Sequence, residues 1–188
     1  MSQSKERYPA PLLASLPEDV QATISNVAEK AGFTPNVFSK LSRRPDEFRA
    51  FFAYHDALME RDSGLSKGER EMIVVATSAL NHCLYCVVAH GAIARIREKS
   101  PNLADQLATD YKRADISPRQ IAMLDFACKV ATDSSDVNDT DFEVLHQHGF
   151  SDEDIWDIGS ITAFFAMSNR IASVTGMMPN DEFYGMGR

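Results

Sequence analysis

Glu69-Arg70-Glu71, then His82-Cys83-Leu84-Tyr85-Cys86, then His90 are the residues whose types and spacing can do chemistry. Cys83 and Cys86 lie three apart and can approach as a disulfide. On a helix, residues four apart share a face, so His82, Cys86 and His90 form a stripe, and Cys86 and His90 can share a hydrogen bond. A cysteine reacts as the thiolate, whereas a free thiol is mostly protonated at neutral pH; a helix N-terminus or a nearby imidazole lowers its pKa. Both devices are available here. Asn81 and His82 read as the break between two helices, which puts Cys83 in the first turn of the second. A CxxC pair followed by His at the fourth place, in a chain with three cysteines, reads first as redox or nucleophilic chemistry.

Blander readings stand beside this one. Zinc held by Cys83, Cys86 and His90 with His82 would crowd its ligands into a few residues, whereas structural zinc sites usually join two distant pairs. An inert buried pair is the third reading. Cys128 lies on an apolar stripe and reads as core. His55, His146 and His148 read as core-edge or surface residues, and Trp156 and the helically spaced Phe residues as core. His82 is balanced between a turn residue and a member of the site. Glu71 cannot be placed by spacing alone. In one continuous helix it would stand about 18 Å from Cys83 and about 120° off its face. It serves the site only if the chain folds back near Asn81 or if it acts in another subunit; otherwise it reads as a solvated first-turn acid.

The elements that must position these residues are helical. Pro17 opens a helix carrying Val20, Ile24 and Val27, and Gly32 stops it. Pro35 opens a short helix and Pro45 a longer one with Phe48, Phe51, Phe52, His55, Leu58 and Met59, ended by Gly64. Ser66 with Glu69 three residues on is a capping-box pattern, opening a helix to about Asn81. The next runs from about Cys83 to Lys99, where Arg95, Arg97 and Lys99 suit the negative end of its dipole. A polar, weakly helical stretch follows Pro101. Ser117-Pro118 opens a helix with Ile121, Leu124 and Cys128, and Asp133 to Asp139 reads as a loop. Thr140 to Gly149 is a short helix. Ser151, with Asp154 three later, caps a long last one bearing Ile155, Ile158, Thr162, Phe165 and Ala172. The Ser66 and Ser151 starts look alike, as a degenerate two-helix repeat or as ordinary capping. The tail after Gly176 is expected to pack on a neighbour or fray. No set of strands is visible, so the predicted fold class is all-α.

Composition narrows the function. The chain has 188 residues, suited to one domain, and 44% apolar residues, an ordinary globular content. Its 9 Gly and 8 Pro are below average usage, which favours long helices. A net charge of −8 disfavours nucleic acid or an anionic membrane as partner. Met72 to Ala94 carries no Lys, Arg, Asp or Glu and is long enough to span a bilayer, but Thr77, Ser78, Asn81, His82 and His90 make a buried core hairpin the expectation. The first ten residues include Lys5, Glu6 and Arg7 without an apolar run, so no signal peptide is expected. Few cysteines point to the reducing cytoplasm, where a close pair is catalytic or metal-binding more often than structural. The Met72–Ala94 segment and the last helix carry more apolar surface than a small monomer covers, which predicts a homo-oligomer.

At this point the residues resemble a family. Leu65-Ser66, Glu69-Arg70-Glu71, Asn81, His82-Cys83-Leu84-Tyr85-Cys86 and His90 resemble the AhpD-like alkylhydroperoxidases of the carboxymuconolactone decarboxylase superfamily, in the peroxidase-related subgroup. The likeness is strongest over residues 48–97 and returns in Phe164-Phe165-Ala166-Met167-Ser168-Asn169-Arg170-Ile171-Ala172. It implies a single AhpD-like all-helical domain over 1–188, a multi-helix bundle whose central hairpin carries the CxxC, assembled as trimers or hexamers. It implies a cofactor-free, metal-free peroxidase in which Cys86 attacks a hydroperoxide, Cys83 resolves it, a thiol or dithiol regenerates the pair, and Glu71 and His90 relay the proton. Better-studied members carry His where this chain has Tyr85. From spacing alone the two cysteines could exchange roles, Cys83 being the more exposed and Cys86 the nearer to His90. Two other readings remain: a lyase or isomerase using His90 and Glu71 as acid and base, as in the decarboxylase branch, and a zinc-stabilised binding module.

Overall fold

The element that organises the molecule is a helix with almost no exposed face. A computed structural model describes residues 7–188, so Lys5 and Glu6 lie outside the described residues. In it α4 (Lys67–Leu80) is buried from Gly68 through Ser78. It is packed round by α5 (Leu84–Glu98), α6 (Leu103–Asp110), α7 (Pro118–Asp133) and α9 (Asp152–Thr175). Met72, Ile73, Val74, Val75 and Ala76 interlock there with Leu103, Leu107, Met123, Leu124, Ile158, Ile161 and Phe165. A helix apolar on every side needs a partner on every side. The predicted capping box starts it: Ser66 Oγ accepts from the Glu69 amide at 3.0 Å and Glu69 Oε2 from the Ser66 amide at 2.9 Å. Similar boxes at Ser117 and Ser151 start α7 and α9.

The charged residues on this central helix are all accounted for. Arg70 is fully buried and its guanidinium donates to Asp157 Oδ2 of α9 at 3.1 Å, to Ser63 Oγ at 2.6 Å and to the Leu58 carbonyl. That pair fixes α9 against α4, the two helices that later share the site. α1 (Glu18–Ala31), α2 (Asn36–Leu41) and α3 (Pro45–Met59) form an N-terminal cap around Val20, Ile24 and Phe48. α8 (Asp139–Gln147) and the short α10 (Glu182–Gly185) complete the ten α-helices; no strand occurs among the described residues.

Several sequence expectations are corrected. The stretch after Pro101 is a real helix, α6, because Leu103, Ala104 and Leu107 are buried against α4 and α5. α3 stops at Met59, well before Gly64, and the expected loop after α7 contains a short 3₁₀ turn, Ser134–Asp136. Trp156 is 71% exposed, since α9 buries the face of Ile155, Ile158 and Thr162 and Trp156 falls off it. The tail does not fray. Phe183 is buried, and Arg95 donates to the Phe183 carbonyl at 2.8 Å and to the Met186 carbonyl at 2.9 Å, holding the tail against α5. No described helix is long and apolar enough to cross a membrane. The 72–94 run is broken between Leu80 and Leu84 into the two arms of a hairpin.

Candidate active site

The α4–α5 turn creates the site. α4 ends at Leu80 and Asn81 is its cap; His82 then adopts φ 53°, a left-handed conformation that reverses the chain. The Ser78 carbonyl accepts from the Cys83 amide at 3.0 Å, closing the turn. His82 is therefore a turn residue with an exposed side chain. Its extra residue pushes Cys83 out of the helix: Cys83 is the N-cap of α5, in extended backbone, rather than part of its first turn.

Fold-back brings Glu71 to the site. Glu71 Oε2 lies 2.7 Å from His90 Nδ1, and both side chains are largely enclosed. Glu71 is 8% exposed, so the reading of a solvated acid is corrected; the α5 arm covers it. A carboxylate only accepts, so the shared proton belongs on Nδ1 and leaves Nε2 free for other work. Phe165 of α9 stands edge-on to the His90 ring, centroids 4.7 Å apart, and fixes the ring plane.

Cys83 and Cys86 are free thiols and both are buried, which corrects the expectation that Cys83 is the more exposed. Tyr85, Ala89, Ala172, Met177 and Phe183 enclose them, the tail supplying the cover that sequence reasoning did not assign to it. The two thiols are strongly unequal. The Cys86 thiol and amide, acting on the sulfur at the helix start, pull Cys83 down to about 6, with His90 and Asn169 adding to the effect. The cost of burial opposes this. Cys86 moves the other way: its proton is tied to Cys83, and its burial also disfavours a second charge. The pair thus holds one negative charge between two sulfurs.

Polar residues of α9 complete the surroundings. Asn169 Oδ1 accepts from Asn81 at 3.0 Å and its Nδ2 donates to Ser78 Oγ at 2.9 Å; it favours the thiolate at both cysteines. Ser168 Oγ is 4.0 Å from Cys86 Sγ. Spacing along the chain gave no reason to join Asn169 to the cysteines, although Ser168 and Asn169 belong to the C-terminal stretch that carries the resemblance. Tyr85 is buried, its hydroxyl accepting from the Val37 amide at 3.1 Å and tying α5 to α2; burial raises its pKa.

Cys86 and His90 open onto a cavity of about 540 Å³ between α1, α2, α3, α5, α9 and the tail. Its wall is mostly apolar, with Phe33, Phe38, Phe51, Phe52, Phe165 and Phe183 among its residues. His55, expected at the core edge or surface, also lines it. Cys83 does not. Among the described residues no three His, Cys, Asp or Glu side chains converge as a metal site. Cys128 is partly buried beside the core, and burial pushes its thiol up to about 11.

Comparison with known proteins identifies the family and the fold. Residues 45–109 match the carboxymuconolactone decarboxylase family. The crystal structure described as an alkylhydroperoxidase AhpD core, an uncharacterised peroxidase-related protein from Ralstonia eutropha JMP134, is 68% identical. Its TM-score is 0.96, over 97% of this chain and 96% of that one. An uncharacterised peroxidase-related protein from Silicibacter sp. TM1040 is 43% identical, with a TM-score of 0.91, over 99% of this chain and 100% of that one. The debrominase Bmp8, in complex with 2,3,4-tribromopyrrole, shares the fold at 17% identity and a TM-score of 0.78, over 99% and 97% of the two chains. No curated protein matches.

Proposed function

The chain belongs to the AhpD-like, peroxidase-related branch of the carboxymuconolactone decarboxylase superfamily, and on that premise we propose that it is a thiol-dependent peroxidase acting through Cys83 and Cys86. The observation that carries the reading is the Glu71–His90 contact beside a CxxC pair whose Cys86 faces the cavity. A lone cysteine pair needs no such neighbour. A peroxidase does, because it must remove a thiol proton and return one to a leaving alkoxide.

The reaction proceeds as follows. The pair holds one charge and one proton, and transfer of that proton from Cys86 to Cys83 puts the thiolate on the sulfur that lines the cavity. Cys86 S⁻ attacks the distal peroxide oxygen; the O–O bond breaks and an S–O bond forms. The departing alkoxide takes from His90 Nε2 a proton that the ring has drawn from solvent, leaving an alcohol and Cys86 sulfenic acid, while Glu71 holds the imidazole through Nδ1. Cys83 then attacks the sulfenic sulfur. Water leaves, with the Cys83 proton passed through His90, and a Cys83–Cys86 disulfide remains. Two electrons have moved from the dithiol to the peroxide. An external thiol or dithiol restores the pair by exchange. No bound cofactor or metal enters any step.

The same reading takes residues 1–188 as one domain, working in the cytoplasm as a homo-oligomer, trimer or hexamer. Leu80, Leu84 and Met167 are each more than 40% exposed, which supports an interface between copies. The test is the mass of the intact reduced protein before and after a hydroperoxide, compared with Cys86→Ser. A lyase that used only Glu71 and His90 would keep its activity with serine at both cysteines.

A further inference from the structure

The reading of this site as a peroxidase leaves the substrate open, and the cavity wall narrows it. The chain holds 27 acidic and 19 basic residues, yet among the described residues no Asp or Glu lines this cavity. Its permanently charged lining residues are both cations, Lys30 at the end of α1 and Arg97 near the end of α5. Both are exposed, whereas Cys86, which lines the same cavity, is buried. Among the described residues neither cation makes an ion pair or side-chain hydrogen bond, although the Arg97 charge helps to lower the Glu60 carboxyl. Between them the wall is apolar and aromatic. Cys86, His90, Ile93 and Arg97 line the cavity along one stripe of α5. Eleven positions of helix separate the reacting sulfur from Arg97, roughly 16 Å along the axis. With C–C bonds of about 1.5 Å, such a span takes a chain on the order of ten carbons.

We propose that the cavity takes a hydroperoxide carried on a long apolar chain ending in a carboxylate, with the carboxylate at Lys30 and Arg97 and the peroxide at Cys86. An apolar tunnel without a charged end suits any alkyl hydroperoxide. Two unpaired cations on its wall, in a protein of net charge −8, select an amphipathic anion. Their exposure keeps the preference moderate.

Two measurements on the full chain test this. The first needs no peroxide chemistry: fluorescence of cis-parinaric acid against its methyl ester. The acid is expected to bind roughly tenfold more tightly, the difference falling to near unity in Lys30→Met/Arg97→Met and surviving in Arg97→Lys. The second is kcat/KM for linoleic acid 13-hydroperoxide against its methyl ester, with the same preference expected. Equal binding of acid and ester, or a preference unchanged in the double variant, overturns the proposed anion site. Charge-dependent binding without turnover of either hydroperoxide supports the site and overturns the peroxidase reading.

Discussion

Glu71 and His90, 19 positions apart in the chain, meet at 2.7 Å across the α4–α5 hairpin. The contact spans two helices, so it exists only while the Asn81–Cys83 turn holds their register. It also sets which imidazole nitrogen is free: with Nδ1 engaged by the carboxylate, Nε2 is left for proton transfer. In the proposed reaction His90 is the proton carrier and Glu71 holds it.

His90→Ala is expected to raise the pKa of the Cys83–Cys86 pair, because the imidazole favours the Cys83 thiolate. It should lower peroxide-dependent kcat/KM by about 10²–10⁴-fold, the usual contribution of a positioned acid–base group. Glu71→Gln keeps the shape and removes the charge, and a smaller loss is expected. Stopped-flow oxidation at several pH values measures both. A rate unchanged in His90→Ala removes His90 from the mechanism.

The thiols should titrate as a unit. Absorbance of the thiolate near 240 nm is expected to show one thiolate forming around pH 6, the value to which Cys83 is lowered. Below that pH the pair is fully protonated and the rate of peroxide reduction falls; above it the rate is sustained. Cys83→Ser removes this transition. Cys86→Ser shifts it upward, because Cys86 is the largest influence on Cys83. Two thiols titrating together above pH 8 would contradict the pairing.

Most of the fold and part of the site are legible in the sequence. Capping boxes at Ser66, Ser117 and Ser151 declare three helix starts through local chemistry alone. The Cys83–Cys86–His90 spacing exposes half of the site because Cys86 and His90 share α5 and Cys83 caps its start. Glu71 is legible only in retrospect. Once Asn81–His82 is a turn, residues 71 and 90 lie almost equally far from it on antiparallel arms, and so at the same height. Asn169 and the tail could not be read this way. Their approach to the cysteines depends on packing between segments more than 80 positions apart, for which local periodicity carries no signal. Trp156 misled for the same reason, since helical spacing names a face and only the packed partners decide which face is covered.

Asn169 should matter beyond its place in the core. Asn169→Ala leaves Ser78 Oγ without its donor and Asn81 without its acceptor, an expected loss of about 1–3 kcal/mol in urea unfolding. Because Asn169 also favours both thiolates, the pair's pKa should rise. Lost stability with an unchanged thiol titration would limit Asn169 to a structural part.

The buried Arg70–Asp157 pair is expected to carry stability and no chemistry. Asp157→Ala leaves the buried Arg70 cation, and the half-exposed Arg61 that shares the same carboxylate, without their anion, and should cost about 3–5 kcal/mol. Thermal unfolding checks this. The folded fraction of the variant should keep the thiol titration of the parent, since neither residue touches the cavity.

The most direct measurement is the intact mass of fully reduced protein after one equivalent of hydroperoxide under denaturing quench. A loss of about 2 Da is expected, from a Cys83–Cys86 disulfide, with Cys128 still alkylated in the unfolded chain. In Cys83→Ser the same treatment should add about 16 Da, the sulfenic acid trapped on Cys86. An unchanged mass in the parent protein, or oxidation confined to Cys128, would contradict the account.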